Sequence, residues 1–143
     1  MSLLSPKTLL NRLGLRPKKA LGQHFLLHPH QARRIVAALN LTGEETVVEI
    51  GAGLGALTGL LAAAAHRVIA LERDPELARI LAEELLGGSP GVQVICQDAL
   101  TFDFPGAARE AGCPLAVVGN LPYQITSPLL FGLIRDARAI ARA

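Results

Sequence analysis

The stretch TVVEIGAGLGALTGLLAAAA, Thr46 to Ala65, constrains the fold of this chain more than any other. A β-branched run ends in closely spaced glycines and opens into strong helix formers. It therefore predicts a buried strand, Thr46 to Ile50, turning sharply into a helix, Ala56 to Ala65. The alternation recurs. Arg67 to Leu71 predicts a second strand, and Asp74-Pro75 supplies the N-cap and first-turn proline of a helix with Leu77, Ile80, Leu81 and Leu85 on one face, ended by Gly87-Gly88. Val92 to Ile95 and Leu115 to Val118 predict a third and a fourth strand, and Ser127 to Ala141 a last helix opened by Ser127-Pro128. Ahead of them all, Pro29 to Leu39 carries Ile35, Val36 and Leu39 at helical spacing. Strands separated by helices call for a parallel sheet with right-handed crossovers, so the fold class is α/β.

At 143 residues, half of them apolar, the chain has the length of one domain with a substantial core. No apolar run reaches the roughly 18 residues that span a bilayer, so a soluble, cytoplasmic protein without membrane contact is expected. Cys96 and Cys113 form no CxxC pair and suit a reducing compartment. Charge is unevenly distributed. Seven of the fourteen basic residues, Lys7, Arg12, Arg16, Lys18, Lys19, Arg33 and Arg34, precede the first acid, Glu44, leaving seven against twelve acids behind it. A basic front suits a polyanion, although a solvated arm or an organelle presequence shares this composition. With four Phe, one Tyr and no Trp, the chain lacks the aromatic platform of a stacking single-strand binder.

The loop EIGAGLGALT, Glu49 to Thr58, predicts a nucleotide-sized ligand, because Gly51, Gly53 and Gly55 remove the side chains that would block a tight turn and a close approach. Gly51-x-Gly53-x-x-Ala56 with Glu72 about 20 residues on also satisfies the dinucleotide fingerprint, which leaves a nicotinamide-dependent oxidoreductase open. Glu49 argues otherwise: an anion beside the loop repels a pyrophosphate and suits a cation. S-adenosylmethionine carries a sulfonium and an ammonium and no phosphate. Glu72 at the end of the second strand can accept both ribose hydroxyls, and Asp98 after the third can accept from the adenine amino group. In VVGNLPYQIT, Val117 to Thr126, the fourth strand stops at Asn120-Leu121-Pro122-Tyr123. An exocyclic adenine amine is a poor nucleophile until acceptors localise its lone pair. Asn120 supplies one carbonyl and the backbone of Leu121 or Pro122 another, while Tyr123 can stack on an extruded adenine.

Five segments in order resemble the ribosomal RNA adenine N6,N6-dimethyltransferases, a family related to the erythromycin-resistance rRNA methyltransferases: KKALGQHFL (Lys18 to Leu26), VVEIGAGLGALT (Val47 to Thr58), ALERD (Ala70 to Asp74), QDAL (Gln97 to Leu100) and GNLPYQITSPLL (Gly119 to Leu130). The resemblance implies a Rossmann-like class I S-adenosylmethionine-dependent methyltransferase fold. It also implies transfer of methyl groups to N6 of adjacent adenosines in small-subunit (16S) rRNA or a pre-assembled small ribosomal subunit. By position it sets His24, Leu26, Gly51, Glu72, Asp98 and Asn120 against the cofactor, to which the reading of the loop adds Glu49 and Gly53. His24 stands where the family more often has Asn. A non-catalytic RNA-binding, ribosome-assembly or transcription factor on the same fold is the alternative.

No metal is expected, since His28-x-His30 lacks further ligands. The expected organisation is a basic extension, 1–17, before a methyltransferase domain, 18–143. Family members continue with further strands and a helical domain. The sheet is therefore expected to stop after the fourth strand and its helix, with the edge Leu115 to Val118 exposed and weak cofactor binding and little turnover by the chain alone.

Overall fold

The β-branched runs pair into one sheet of five parallel strands: β1 (Thr46–Ile50), β2 (Arg67–Glu72), β3 (Val92–Cys96), β4 (Leu115–Gly119) and β5 (Ile140–Arg142). Their order is β3-β2-β1-β4-β5. The computed structural model describes residues 6–16, 28–86, 88–121 and 123–143. Helices α1 (Pro6–Leu13), α2 (Pro29–Ala38), α3 (Thr58–Ala64), α4 (Pro75–Ile80), α5 (Phe104–Ala111) and α6 (Tyr123–Arg135) complete the fold.

Alternation along the strands divides the core in two. Val48, Ile50, Ile69, Leu71, Leu115 and Val117 pack on one face against Phe104 of α5 and Leu129 and Leu133 of α6. Val47, Val68 and Ala116 point to the other face, against Ala32 and Leu39 at α2 and Leu57 and Leu61 at α3. Strand direction and order reverse the crossovers between β1 and β4, which is where open α/β sheets leave a crevice at the strands' carboxyl ends.

The four predicted strands form within a residue of their expected ends, and Asp74 caps α4 by accepting from the Glu76 N–H. Beyond Ile80 the chain continues through one wide turn, Leu81–Leu85. Gly88 follows in the left-handed region, and Gly87 lies outside the described residues.

Three features differ from expectation. The basic leader contains a helix, α1, and α5 stands between β3 and β4 behind an Asp103 cap that accepts from the Gly106 N–H. The third difference concerns the end of the sheet. The last helix begins at Tyr123, not Ser127, and ends at Arg135, with Pro128 inside it. Residues expected in its final turns instead form β5, pairing at Leu115 and Ala116. The predicted exposed edge is therefore corrected: Leu115, Ala116 and Val117 are buried. Ile140-Ala141-Arg142 suits either state by propensity, and pairing beside β4 decides between them.

Arg142 fastens this strand to the opposite face, its Nη1 donating to the carbonyls of Leu39 (2.7 Å) and Asn40 (3.1 Å) at the end of α2. A cation there also complements the negative end of the helix dipole. Arg142→Ala is expected to lower unfolding stability by about 1 kcal/mol, measured by chemical denaturation.

Candidate functional site

The strands end level with one another. Ile50 pairs with Leu71 and with Gly119, and Glu72 with Cys96, so the segments after β1, β2, β3 and β4 emerge along one edge. The loop after β1 turns back at once: the N–H groups of Gly51 and Ala52 both donate to the Leu71 carbonyl, at 2.9 and 3.0 Å. Gly53 has φ +56°, a left-handed conformation that glycine adopts without strain, and its N–H donates to Glu72 Oε2 at 2.7 Å. Glu72 Oε1 accepts from the Asp74 N–H at 3.0 Å. One carboxylate, only 6% exposed, thus ties the glycine loop to the turn after β2.

Glu49 lies on the same face of the sheet as Glu72, opposite Ala70 and Val118. It is 1% exposed, and the Thr58 hydroxyl at the start of α3 donates to its Oε2 at 2.5 Å. Burial pushes its carboxyl up to about 8; the Thr58 hydroxyl opposes the shift and the charge of Glu72 adds to it. Since the folded chain holds this proton more tightly, the carboxyl favours folding below its ordinary value of 4.5. That contribution is lost as pH rises toward about 8.

Asp98, half-buried, follows β3 and opens a short turn at Ala99–Thr101, its Oδ1 accepting from the Leu100 N–H at 3.0 Å. Among the described residues its Oδ2 accepts no bond. Gln97 braces the same turn through the carbonyl and hydroxyl of Thr101. Asn120 and Leu121, both half-buried, leave the end of β4 on the other side of the glycine loop. A Cβ at Gly119 would come within 2.9 Å of the Ile50 carbonyl oxygen and of Leu121 Cδ2. Glycine there lets β4 close against β1 and sets where Asn120 emerges.

Glu49, Gly51, Gly53, Glu72, Asp98, Asn120 and Leu121 are thus brought to one sheet edge. His24, Leu26 and Pro122 lie outside the described residues, as does the side chain of Tyr123. Thr58 and Gly119 were not singled out from the sequence. Thr58 stands at the helix start nine residues beyond Glu49, and Gly119 breaks a β-branched strand just before the asparagine; those were the available signals. His28 and His30 are exposed at the start of α2, and among the described residues no three His, Cys, Asp or Glu side chains form a group that could hold a metal. None of the described helices is long and apolar enough to cross a membrane.

The chemistry of this edge can be matched to a ligand. Glu49 to Thr58 contains no Lys or Arg, two carboxylates flank the loop, and the space above Gly51 is open. Those features fit a cationic nucleoside. Residues 14–143 match the profile of the ribosomal RNA adenine dimethylase family. The chain belongs to that family.

Similar proteins agree. It is 46% identical, over 97% of its length, to a ribosomal RNA small subunit methyltransferase A of Myxococcus xanthus, covering 47% of that protein. A protein of the same name from Acidobacterium capsulatum is 50% identical over 88% of the chain, covering 44% of the relative. Among solved structures, the 23S rRNA methyltransferase ErmE superposes with a TM-score of 0.71 at 35% identity over 80% of the chain and 44% of its own. A dimethyladenosine transferase from Plasmodium falciparum gives 0.67 at 31% identity, covering 78% and 38%. The chain spans about half the length of the curated relatives it matches. For this dimethylase-family chain the class I methyltransferase fold is therefore secure.

The close approach at Gly119 has a measurable counterpart. Gly119→Ala is expected to destabilise the chain by roughly 1–3 kcal/mol through overpacking against backbone. Gly59→Ala, within α3 and with nothing in 4 Å of its Cβ position, is expected to stabilise it by about 0.5–1 kcal/mol. Denaturant titration of both variants checks the contrast.

Proposed function

We propose that this chain is the donor-binding and methyl-transferring part of an S-adenosylmethionine-dependent small-subunit rRNA (adenine-N6,N6)-dimethyltransferase, contributing to ribosome biogenesis. The observation that carries the reading is the convergence, at one sheet edge, of a glycine loop flanked by carboxylates with an asparagine on the next strand. The names of its relatives support small-subunit rRNA, or a pre-assembled small subunit, as the substrate.

S-adenosylmethionine, when bound, supplies an electrophilic methyl group. Glu72 spends one lone pair of each oxygen on a backbone N–H, and the remaining pairs accept the two ribose hydroxyls. Asp98 Oδ2 accepts from the adenine amino group of the donor. Gly51 and Gly53 give the ligand access to the backbone, Glu49 adds negative charge beneath the loop once ionised, and His24 and Leu26 close over the methionine end.

On the other side of the loop, the Asn120 side-chain carbonyl and the backbone carbonyl of Leu121 or Pro122 accept from the two N6 hydrogens of the target adenine. Two acceptors draw the nitrogen away from planarity and localise its lone pair toward the methyl group. Neither need be a strong base, because the work is positioning. Tyr123 stacks on the extruded base. The exposed cations Arg12, Arg16, Arg33 and Arg34 attract rRNA phosphates, an interaction that weakens with salt.

Carried in a protein of its relatives' length, the chain is expected to transfer labelled methyl to N6 of adenosine in under-methylated small ribosomal subunits. Asn120→Ala is expected to lower that rate at least roughly 100-fold while donor binding is retained. Methyl found on another atom, or transfer undiminished in the variant, contradicts the reading.

A further inference from the structure

Two buried carboxylates flank the glycine loop with unequal support. Glu72 accepts two backbone amides, from Gly53 and Asp74. Glu49 accepts a single hydroxyl, from Thr58, and is enclosed on every side. Its strand neighbours are Ala70 and Val118, neither of which titrates. On the same face α3 contributes Thr58 and a run of apolar residues. Helix α2 packs there through Ala32, Ile35, Val36 and Leu39, with its Arg33 and Arg34 exposed. The charged group facing Glu49 from β2 is Glu72, two residues beyond Ala70 on the same side of the strand. Two anions on adjacent strands, both out of water, cannot both ionise without a compensating charge.

We propose that Glu49 stores a proton beneath the glycine loop and releases it to solvent when a cationic methyl donor binds, so that donor affinity and proton release are coupled. This rests on the donor-binding reading above. The carboxyl O–H bond breaks, the proton passes to water, and the carboxylate left behind is balanced by the positive charge of the ligand. Burial supports the direction, holding the Glu49 carboxyl at about 8 in the folded chain. Thr58 tunes the equilibrium, since its hydroxyl favours the anion. Glu49 is a positioning residue for charge and does not touch the reacting atoms.

The test uses the chain itself, with S-adenosylmethionine binding followed by equilibrium dialysis and proton release by a pH indicator in weak buffer. At about pH 7, saturation is expected to release about 0.9 proton per donor bound, and affinity is expected to rise roughly tenfold between about pH 6 and pH 7. That interval lies below the range near 8 where the donor's own α-amino group titrates. Glu49→Gln is expected to abolish both effects, leaving an affinity independent of pH in that interval. Thr58→Val is expected to move the pH dependence upward, which a merely structural role for the hydroxyl would not do. Binding without proton release in the unaltered chain overturns the inference, and that result needs no variant to fold. Release that persists in Glu49→Gln also overturns it, assigning the proton to a histidine. Absence of donor binding in the dialysis overturns the donor-binding reading as well, and is distinguishable from binding without release.

Discussion

The Glu72 carboxylate, held by the N–H groups of Gly53 and Asp74, is the interaction on which the site depends. It joins two loops that leave adjacent strands and fixes them before any ligand is present. Because β1 and β2 end in register, one short side chain spans both loops. Remove it and two inward-facing amides lose their acceptor, in a region with little water to replace it. The same oxygens retain lone pairs, which the hydroxyls of the proposed donor would meet without rearrangement of the brace.

Around that brace the carboxyl groups differ in their surroundings. Glu72 accepts two backbone amides, Glu49 is held neutral by burial, and Asp98 stands half-buried at the rim. Such a series suits a ligand whose polar ends are hydroxyls, an amine and a cation. The glycine pattern and Glu72 are shared with the dinucleotide fingerprint and do not discriminate between such a ligand and a dinucleotide; Glu49, Asp98 and Asn120 at the same edge lie outside that fingerprint.

Much of the fold was legible because its signals are local. β-branched runs mark β1 to β4, Asp74-Pro75 marks the start of α4, and the glycines mark a loop whose φ values lie in the left-handed region. What was not legible depends on distant partners. FPGAAREA buries only Phe104 as α5, too few apolar positions for a helical period to stand out, and its Asp103 cap is visible mainly in retrospect. Ile140 to Arg142 becomes a strand because Leu115 and Ala116 offer a free edge and α2 offers carbonyls to Arg142. At the site, Glu72 and Asp98 could be placed at strand ends from spacing. That Glu49 bonds Thr58, and that Gly119 sits against the Ile50 carbonyl, follows only from the packing of β1 between its neighbours.

The central claim is that a cationic methyl donor lies across the glycine loop with its nucleoside held on the β2 and β3 side. The most direct measurement is a crystal structure of the chain grown with S-adenosylmethionine. The expected result is density along the carboxyl edge, with ribose hydroxyls on Glu72, the adenine amino group on Asp98 and the methyl directed toward Asn120. Donor density elsewhere on the molecule, with the Glu72 oxygens contacting only Gly53 and Asp74, would contradict it.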